Sequence, residues 1–260
     1  MRLATYNILH GYHQNLILKN IKLLIEKGVD IICLQETDAP FETPLNNLLS
    51  SLRPSNWKVK YSHCGIAGNL AIVWNSSHVE MQNMETILLP TIAPVFIQKL
   101  KGHTIRLQRT VLTGTFLVKG ETIRISNAHL AWEGGVAHRL NQVTYLKDAL
   151  KKTSVDKDII AGDFNTFAPS ILRRDQQQKV EKILSEYTNT LPELKWSCDI
   201  SYTAPQDGWD FIAKLCRYIG LKIQSRLDYI FVKNLQIISS EMLDLPGSDH
   251  RPIVVKFEIT

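Results

Sequence analysis

The apolar, strand-like runs 3–7, 31–36, 123–129 and 159–165 end on residues that are expensive to bury: Asn7, Glu36, His129, and the pair Asp163 and Asn165. Asp228, Asp249 and His250 extend the set toward the C-terminus. Carboxylates, amides and imidazoles leave water only when they bind one another or an ion. If these strands are neighbours, their ends form one acidic pocket. Such a pocket holds a hard divalent cation through carboxylate oxygens and leaves two histidines for proton transfer or charge stabilisation. That combination points to phosphodiester chemistry.

The spacing of Leu16, Ile17, Ile21, Leu24 and Ile25 predicts a helix over 16–27, with Gly28 placed to end it. Strand, helix, strand is the order of a crossover that brings Asn7 and Glu36 to the same sheet edge. Residues 69–75 read as a buried strand, and 95–100, 104–117 and 122–130 as further β-rich segments punctuated by Gly102, Gly114 and Gly120. Val136, Leu140, Val143, Leu146, Ala149 and Leu150 share a helical face over 136–150, which leads into the 159–160 strand and repeats the crossover pattern. A helix at 176–187 and strands at 226–232 and 253–259 complete the reading. The sequence contains no Pro- or Gly-rich linker, low-complexity tract or fixed-period repeat, so one domain over 1–260 is expected.

With 44% hydrophobic and 21% charged residues the composition is that of an ordinary globular protein. A net charge of +5 is compatible with a phosphate-bearing substrate but is far from the basic footprint of a dedicated nucleic-acid binder. The short clusters Lys99 with Lys101, Lys151-Lys152 and Arg173-Arg174 read as solvated surface. Cys33, Cys64, Cys198 and Cys216 lack zinc or CxxC spacing, and neither a secretory leader nor a membrane-spanning run is visible. Reduced thiols in a cytoplasmic protein are the expectation.

The segments Thr5-Tyr6-Asn7-Ile8, Leu34-Gln35-Glu36-Thr37, Ala128-His129-Leu130, Gly162-Asp163-Phe164-Asn165, Arg226-Leu227-Asp228-Tyr229-Ile230 and Gly247-Ser248-Asp249-His250-Arg251-Pro252 occur in that order. Together they resemble the endonuclease/exonuclease/phosphatase superfamily, and the resemblance spans residues 5 to 252. It implies an α+β fold, a four-layer α/β/β/α sandwich of two packed mixed β-sheets, with the site where strand ends of both sheets converge.

The resemblance also implies roles. Glu36 is the principal ligand of Mg²⁺ or Mn²⁺, Asn7 supports metal and phosphate, and Asp249 assists at the metal or in site geometry. Asp163 orients or deprotonates the attacking water. His250 polarises the phosphoryl oxygen, Asp228 holds the His250 imidazole, and His129 helps protonate the leaving group. Asp163 and Asn165 lie two apart, so on an extended segment both project to one side, and the Asn165 amide then donates to a phosphoryl oxygen; an Asx turn is the local alternative. Candidate substrate contacts are Arg139 and Gln142, three apart on the helix after His129, together with Trp132, His10 and Arg109. His10 could enter the metal shell or contact phosphate, and for the others a plainer reading stands beside the functional one: helix-surface polarity for Arg139 and Gln142, core packing for Trp132, a strand residue for Arg109.

The expected activity is metal-dependent phosphoester hydrolysis, with nucleic acid as the substrate. The alternatives are a lipid or small phosphoester with the same chemistry, and a non-catalytic scaffold. Residues 160–165 lack the Trp before Gly-Asp, and 225–228 lack the Pro-Ala-Trp-Cys-Asp segment, of the inositol 5-phosphatase branch. Substrate selection is expected from loops at 38–68, 131–138 and 166–222.

Overall fold

In the computed structural model, which describes residues 1–260 except 54–55, 64–68, 93–107, 154, 168–169, 203–209 and 260, the crossovers form as the sequence predicts. Strands β1 (Arg2–Asn7) and β2 (Ile31–Gln35) are parallel, Asn7 beside Gln35, with α1 (Gln14–Glu26) between them. Strands β7 (Glu121–His129) and β8 (Lys157–Asp163) are parallel, His129 beside Asp163, joined by the helix Gly135–Lys151, α3 here. Each crossover therefore delivers two polar strand ends to one edge.

These pairs lie within two six-stranded mixed sheets. The first has the order β13 (Gln236–Met242), β14 (Ile253–Glu258), β1, β2, β4 (Leu70–Asn75), β3 (Trp57–Ser62). The second has the order β5 (Glu80–Leu88), β6 (Thr110–Val118), β7, β8, β12 (Asp228–Lys233), β9 (Thr188–Asn189). A short ladder, β10 (Cys198–Asp199) with β11 (Gln224–Ser225), carries the chain back toward the site.

Because strand side chains alternate, one set of each strand's residues faces the partner sheet and the other faces a helical layer. Leu3, Ile31, Cys33 and Ile72 meet Leu112, Phe116, Ile125, Ile159 and Ile230 between the sheets. Ala4, Tyr6, Ile32 and Leu34 pack outward against α1 and α2 (Ala39–Ser51), and Val111, Ile160 and Phe231 against α3 and α4 (Ser170–Ile183). Each fully buried aliphatic side chain contributes about 1.5–3 kcal/mol. The result is the expected four-layer sandwich.

Several expectations change. The described residues of 38–63 are largely regular: Phe41, Leu45 and Leu49, four apart, bury one face of α2, and β3 pairs along the whole of β4. The helix expected to reach residue 187 stops at Ile183, because the chain turns so that the Tyr187 hydroxyl donates to Asp158 at 2.5 Å and Thr188–Asn189 pairs with β12. The 226–232 strand begins at Asp228, while the segment 166–222 contains α4 and α5 (Asp210–Tyr218). The strand expected at 95–100, and residues 104–107 of the next, lie outside the described residues. Among the described residues, no helix is long and apolar enough to cross a membrane.

Candidate active site

Alternation decides which polar residues meet. Asn7 lies in phase with Leu3, His129 with Ile123 and Ile125, Asp163 with Ile159 and Ala161, and Asp228 with Ile230 and Val232, all of them facing the inter-sheet core. Each strand thus stays apolar inward until its last turn of pleat and then presents a polar side chain to the same space. A hydrogen-bonded layer separates the two regions. Gln35 Nε2 donates to Thr5 Oγ1 at 3.0 Å and to Asn127 Oδ1 at 2.7 Å, and Asn127 Nδ2 donates to the carbonyls of Leu34 and Ala71 at 2.8 and 2.9 Å. Gln35 belongs to one sheet and Asn127 to the other, so this layer is also a bolt between them. The sequence reading gave neither residue a role.

Above that floor, Asn7 Nδ2 donates to Glu36 Oε1 and to Asp163 Oδ2, each at 3.1 Å, while its own Oδ1 accepts the Leu9 N–H at 3.0 Å. One amide therefore sets the spacing between two carboxylates. Glu36 takes φ +59° just past the end of β2, a left-handed conformation uncommon for such a side chain. Its Oε2 is enclosed and has no hydrogen-bond partner, and the same holds for Asp228 Oδ1. An anionic oxygen left in this state is costly. A hard divalent cation satisfies such oxygens, so the donor set fits Mg²⁺ or Mn²⁺. One carboxylate oxygen each from Asp163 and Asp228 and a ring nitrogen of His250 also lie within 4.8 Å of one another.

His250 Nδ1 lies 2.8 Å from Asp228 Oδ2, and its Nε2 lies 3.8 Å from Asp163 Oδ2. Burial alone would lower the imidazole pKa, but Asp228, Cys198, Asp163 and Asp249 outweigh it and raise it well above its ordinary value. Ser197, which the motif reading missed, donates to Asp228 Oδ2 at 2.7 Å and accepts the backbone N–H groups of Leu227 and Asp228 at 3.0 Å. Ser248 plays the matching part for His250: its hydroxyl donates to the Asn7 carbonyl at 2.8 Å and accepts the His250 N–H at 3.1 Å. Asp249 Oδ1 lies 4.0 Å from His250 Nε2 and 3.4 Å from the Ser248 hydroxyl.

His129 Nε2 is 3.6 Å from Asp163 Oδ2 and 3.8 Å from Glu36 Oε1. Its environment has the opposite effect to that of His250. Burial, together with the positive charge of Arg109, lowers its pKa well below the ordinary value and holds it neutral. Arg109 is buried with Nη1 3.3 Å from His129 Nδ1, and its charge is balanced by Glu133 at 3.3 Å. Two histidines against one carboxylate thus carry different charges. Burial pushes Asp163 itself up to about 7, with Asp228 and Glu36 adding to the shift and His250 and the Asn165 N–H opposing it.

The expected same-side projection of Asp163 and Asn165 is corrected. Strand β8 ends at Asp163, and Asn165 takes φ +49°. Its backbone N–H donates to Asp163 Oδ1 at 2.8 Å, forming the Asx turn, and its amide donates to the Leu130 carbonyl at 2.8 Å. Asn165 is therefore beside the site through its turn. Arg139 and Gln142 are buried rather than surface polar. Gln142 accepts the Ala131 N–H at 2.9 Å and donates to the Pro90 carbonyl at 3.1 Å. Arg139 donates to the Trp132 carbonyl at 3.0 Å, the Phe167 carbonyl at 3.4 Å and Gln176 at 3.1 Å. Trp132 is not core: it is 49% exposed, as is Phe167 at 45%. His10 sits against Glu36 and Asp38 at 3.3 and 2.9 Å.

Residues 4–250 match the pattern of the Endonuclease/Exonuclease/phosphatase family. The chain belongs to that family. It is accordingly a phosphoester hydrolase by family, and its sandwich is the family's fold. Zebrafish (D. rerio) TDP2 complexed with a single-strand DNA product superposes with a TM-score of 0.72 at 16% identity, covering 100% of this chain and 99% of that one. A mannosyl-6-phosphatase of Bacteroides thetaiotaomicron gives 0.71 at 17% identity over 100% of both chains. The human Nocturnin catalytic domain with bound sulfate gives 0.68 at 18% identity, covering 100% and 93%. At these identities the likeness is one of fold. No curated protein matches the chain by sequence.

Proposed function

We propose that this family member is a divalent-metal-dependent phosphodiesterase acting on nucleic acid. The observation that carries the reading is the union, at one edge of the sandwich, of a buried acid–histidine cluster with a rim of exposed aromatics. Arg139 donates to the backbone carbonyls of both Trp132 and Phe167, exposed aromatics that follow His129 and Asn165 closely in the chain. Tyr202, 50% exposed, lies with its ring 5.6 Å from the Arg251 guanidinium, next to His250. Successive bases stack on such platforms, each contact contributing about 1–3 kcal/mol.

Glu36 would hold the ion, with Asn7 fixing its carboxylate. When bound, the ion polarises a phosphoryl oxygen and neutralises charge gathering on the departing one. Asp163, its carboxyl lifted toward neutrality, orients water and takes its proton; a base is most effective when its pKa lies near the working pH. His250, kept protonated by Asp228, stabilises the phosphoryl oxygen through Nε2 as negative charge develops. His129, held neutral, donates a hydrogen bond toward the leaving oxygen. A cytoplasmic setting, expected from the sequence, belongs to the same reading.

The test is turnover of bis-p-nitrophenyl phosphate with Mg²⁺ or Mn²⁺, for wild type beside Asp163→Ala, followed by single- and double-stranded DNA, RNA, phospholipids and sugar phosphates. The expected outcome is metal-dependent cleavage that the substitution abolishes, with nucleic acid preferred. Full turnover in excess chelator would overturn the metal step, and preference for a monoester or a lipid would overturn the substrate.

A further inference from the structure

His10 lies between two carboxylates, those of Asp38 and Glu36. His10 Nδ1 lies 2.9 Å from Asp38 Oδ2, and Asp38 Oδ1 accepts the Asn69 amide at 3.1 Å. Asp38 behind Nδ1 favours the proton on that nitrogen, which makes Nε2 the ring atom able to coordinate a cation once any proton on it is displaced. Nε2 lies 3.3 Å from Glu36 Oε2. That oxygen is enclosed, and its approach to the ring lacks the alignment of a hydrogen bond. A ring nitrogen and a carboxylate oxygen thus lie close enough together to share one ion.

The arrangement has the signs of a built feature. His10 takes φ +55° and its neighbour Leu9 φ +50°, left-handed conformations that cost about 1–2 kcal/mol each in a residue with a side chain. The turn they make is what brings the imidazole over Glu36. Asp38 behind Nδ1 is the partner that fixes tautomer and ring plane in a metal-bound histidine. The imidazole retains 27% of its exposure, which leaves an approach from solvent.

We infer that His10 Nε2 is a ligand of the cation held by Glu36, with Asp38 as its positioning residue, and that this site prefers a nitrogen-accepting transition ion, Mn²⁺ above all, to Mg²⁺. Imidazole ligation suits the first-row transition ions, whereas Mg²⁺ keeps to oxygen donors and water. The inference rests on the proposed metal-dependent reading and sharpens it: the same carboxylate with an all-oxygen surround would favour Mg²⁺.

Calorimetric titration of Mn²⁺ and of Mg²⁺ into the substrate-free protein provides the test, with electron spin-echo spectra of bound Mn²⁺ to detect ligating nitrogen. The variants are His10→Asn, since Asn tolerates left-handed backbone, and Asp38→Asn. Wild type is expected to bind Mn²⁺ at least about tenfold more tightly than Mg²⁺ and to show imidazole nitrogen coupling. His10→Asn should lose both the preference and the coupling while its Mg²⁺ affinity stays within about threefold. Asp38→Asn should weaken Mn²⁺ by about 10- to 100-fold and keep a nitrogen signal. Coupling that survives in His10→Asn, or equal affinities for the two ions in wild type, would overturn the assignment of His10 while leaving Glu36 as the ligand. Absence of any divalent-ion binding in wild type would instead overturn the proposed function itself.

Discussion

Asp228 Oδ2 receives His250 Nδ1 at 2.8 Å while its Oδ1 stays buried without a partner. Through Oδ2 the carboxylate keeps the imidazole charged and its Nε2 aimed at Asp163. Asp228→Asn should lower kcat by roughly 10³-fold with KM changed little, because the interaction it supports matters in the transition state rather than in binding. Ser197→Ala, which removes only the hydroxyl donor to the same oxygen, should cost far less. Steady-state kinetics on the diester reporter check both, and an Asp228→Asn enzyme of near wild-type kcat would rule out the role given to His250.

The metal-free protein should lose stability as pH rises above about 6.5. Asp163, raised to about 7, favours the folded state fully below its unfolded value of 3.8, and this contribution fades as pH rises through 7. His250, raised above 6.5, contributes fully below that value and is lost as pH rises through its folded pKa. His129 acts in the opposite sense, contributing above 6.5 and losing its contribution as pH falls through its lowered pKa, so it offsets the other two only on the acid side. The slope is about 1 kcal/mol per pH unit for each proton released. Saturating Mn²⁺ should flatten it, since the ion stabilises the anionic site. Denaturant midpoints measured across pH with chelator or metal decide this, and a metal-free stability that rises over that range would contradict it.

Trp132→Ala and Phe167→Ala should each raise KM for single-stranded nucleic acid by about 5- to 100-fold, the loss of one stacking contact. Neither should alter turnover of the small diester. Arg139→Ala is expected to reproduce the KM effect of both, because its guanidinium fixes both backbones. Equal losses on the small and the polymeric substrate would show instead that the rings support the cluster.

Gly162→Ala should be among the most damaging single changes in the chain. A Cβ there would sit 1.9 Å from the Ala128 carbonyl oxygen, in a backbone at φ +141° that L residues rarely adopt. The β7–β8 pairing would have to open beside Asp163 and His129. A loss of about 3 kcal/mol or more is expected, visible in chemical denaturation.

Much of this was legible because strand alternation is a strong code. Residues 3–7 and 159–163 alternate toward two buried faces, so the last inward position of each could be named from the chain alone. α2 was hidden by Pro40 and Pro44, although Phe41, Leu45 and Leu49 keep helical spacing. β5 was invisible because its residues are mostly exposed and show no apolar alternation. Arg139 and Gln142 look like surface residues in sequence, and only the folding of residues 130–132 and 167 across α3 buries them. The left-handed backbones of Glu36, His10 and Asn165 have no signature at non-glycine positions. His10 was flagged by its chemistry, but its tautomer depends on Asp38 and on a turn that spacing does not reveal.

Asn7, Glu36 and His250 come from one sheet or the loops at its edge, whereas His129, Asp163 and Asp228 come from the other. The reacting groups therefore sit like the two scales of a vernier, and the Gln35–Asn127 bond marks zero. A slide of a few tenths of an ångström between sheets changes every cross-scale distance at once while leaving each sheet intact. Substitutions deep in the dry core, at Ile72 or Ile125 for example, thus act on the chemistry from a distance, and turnover becomes a finer gauge of how the two halves of this molecule are aligned than any measurement of whether it is folded.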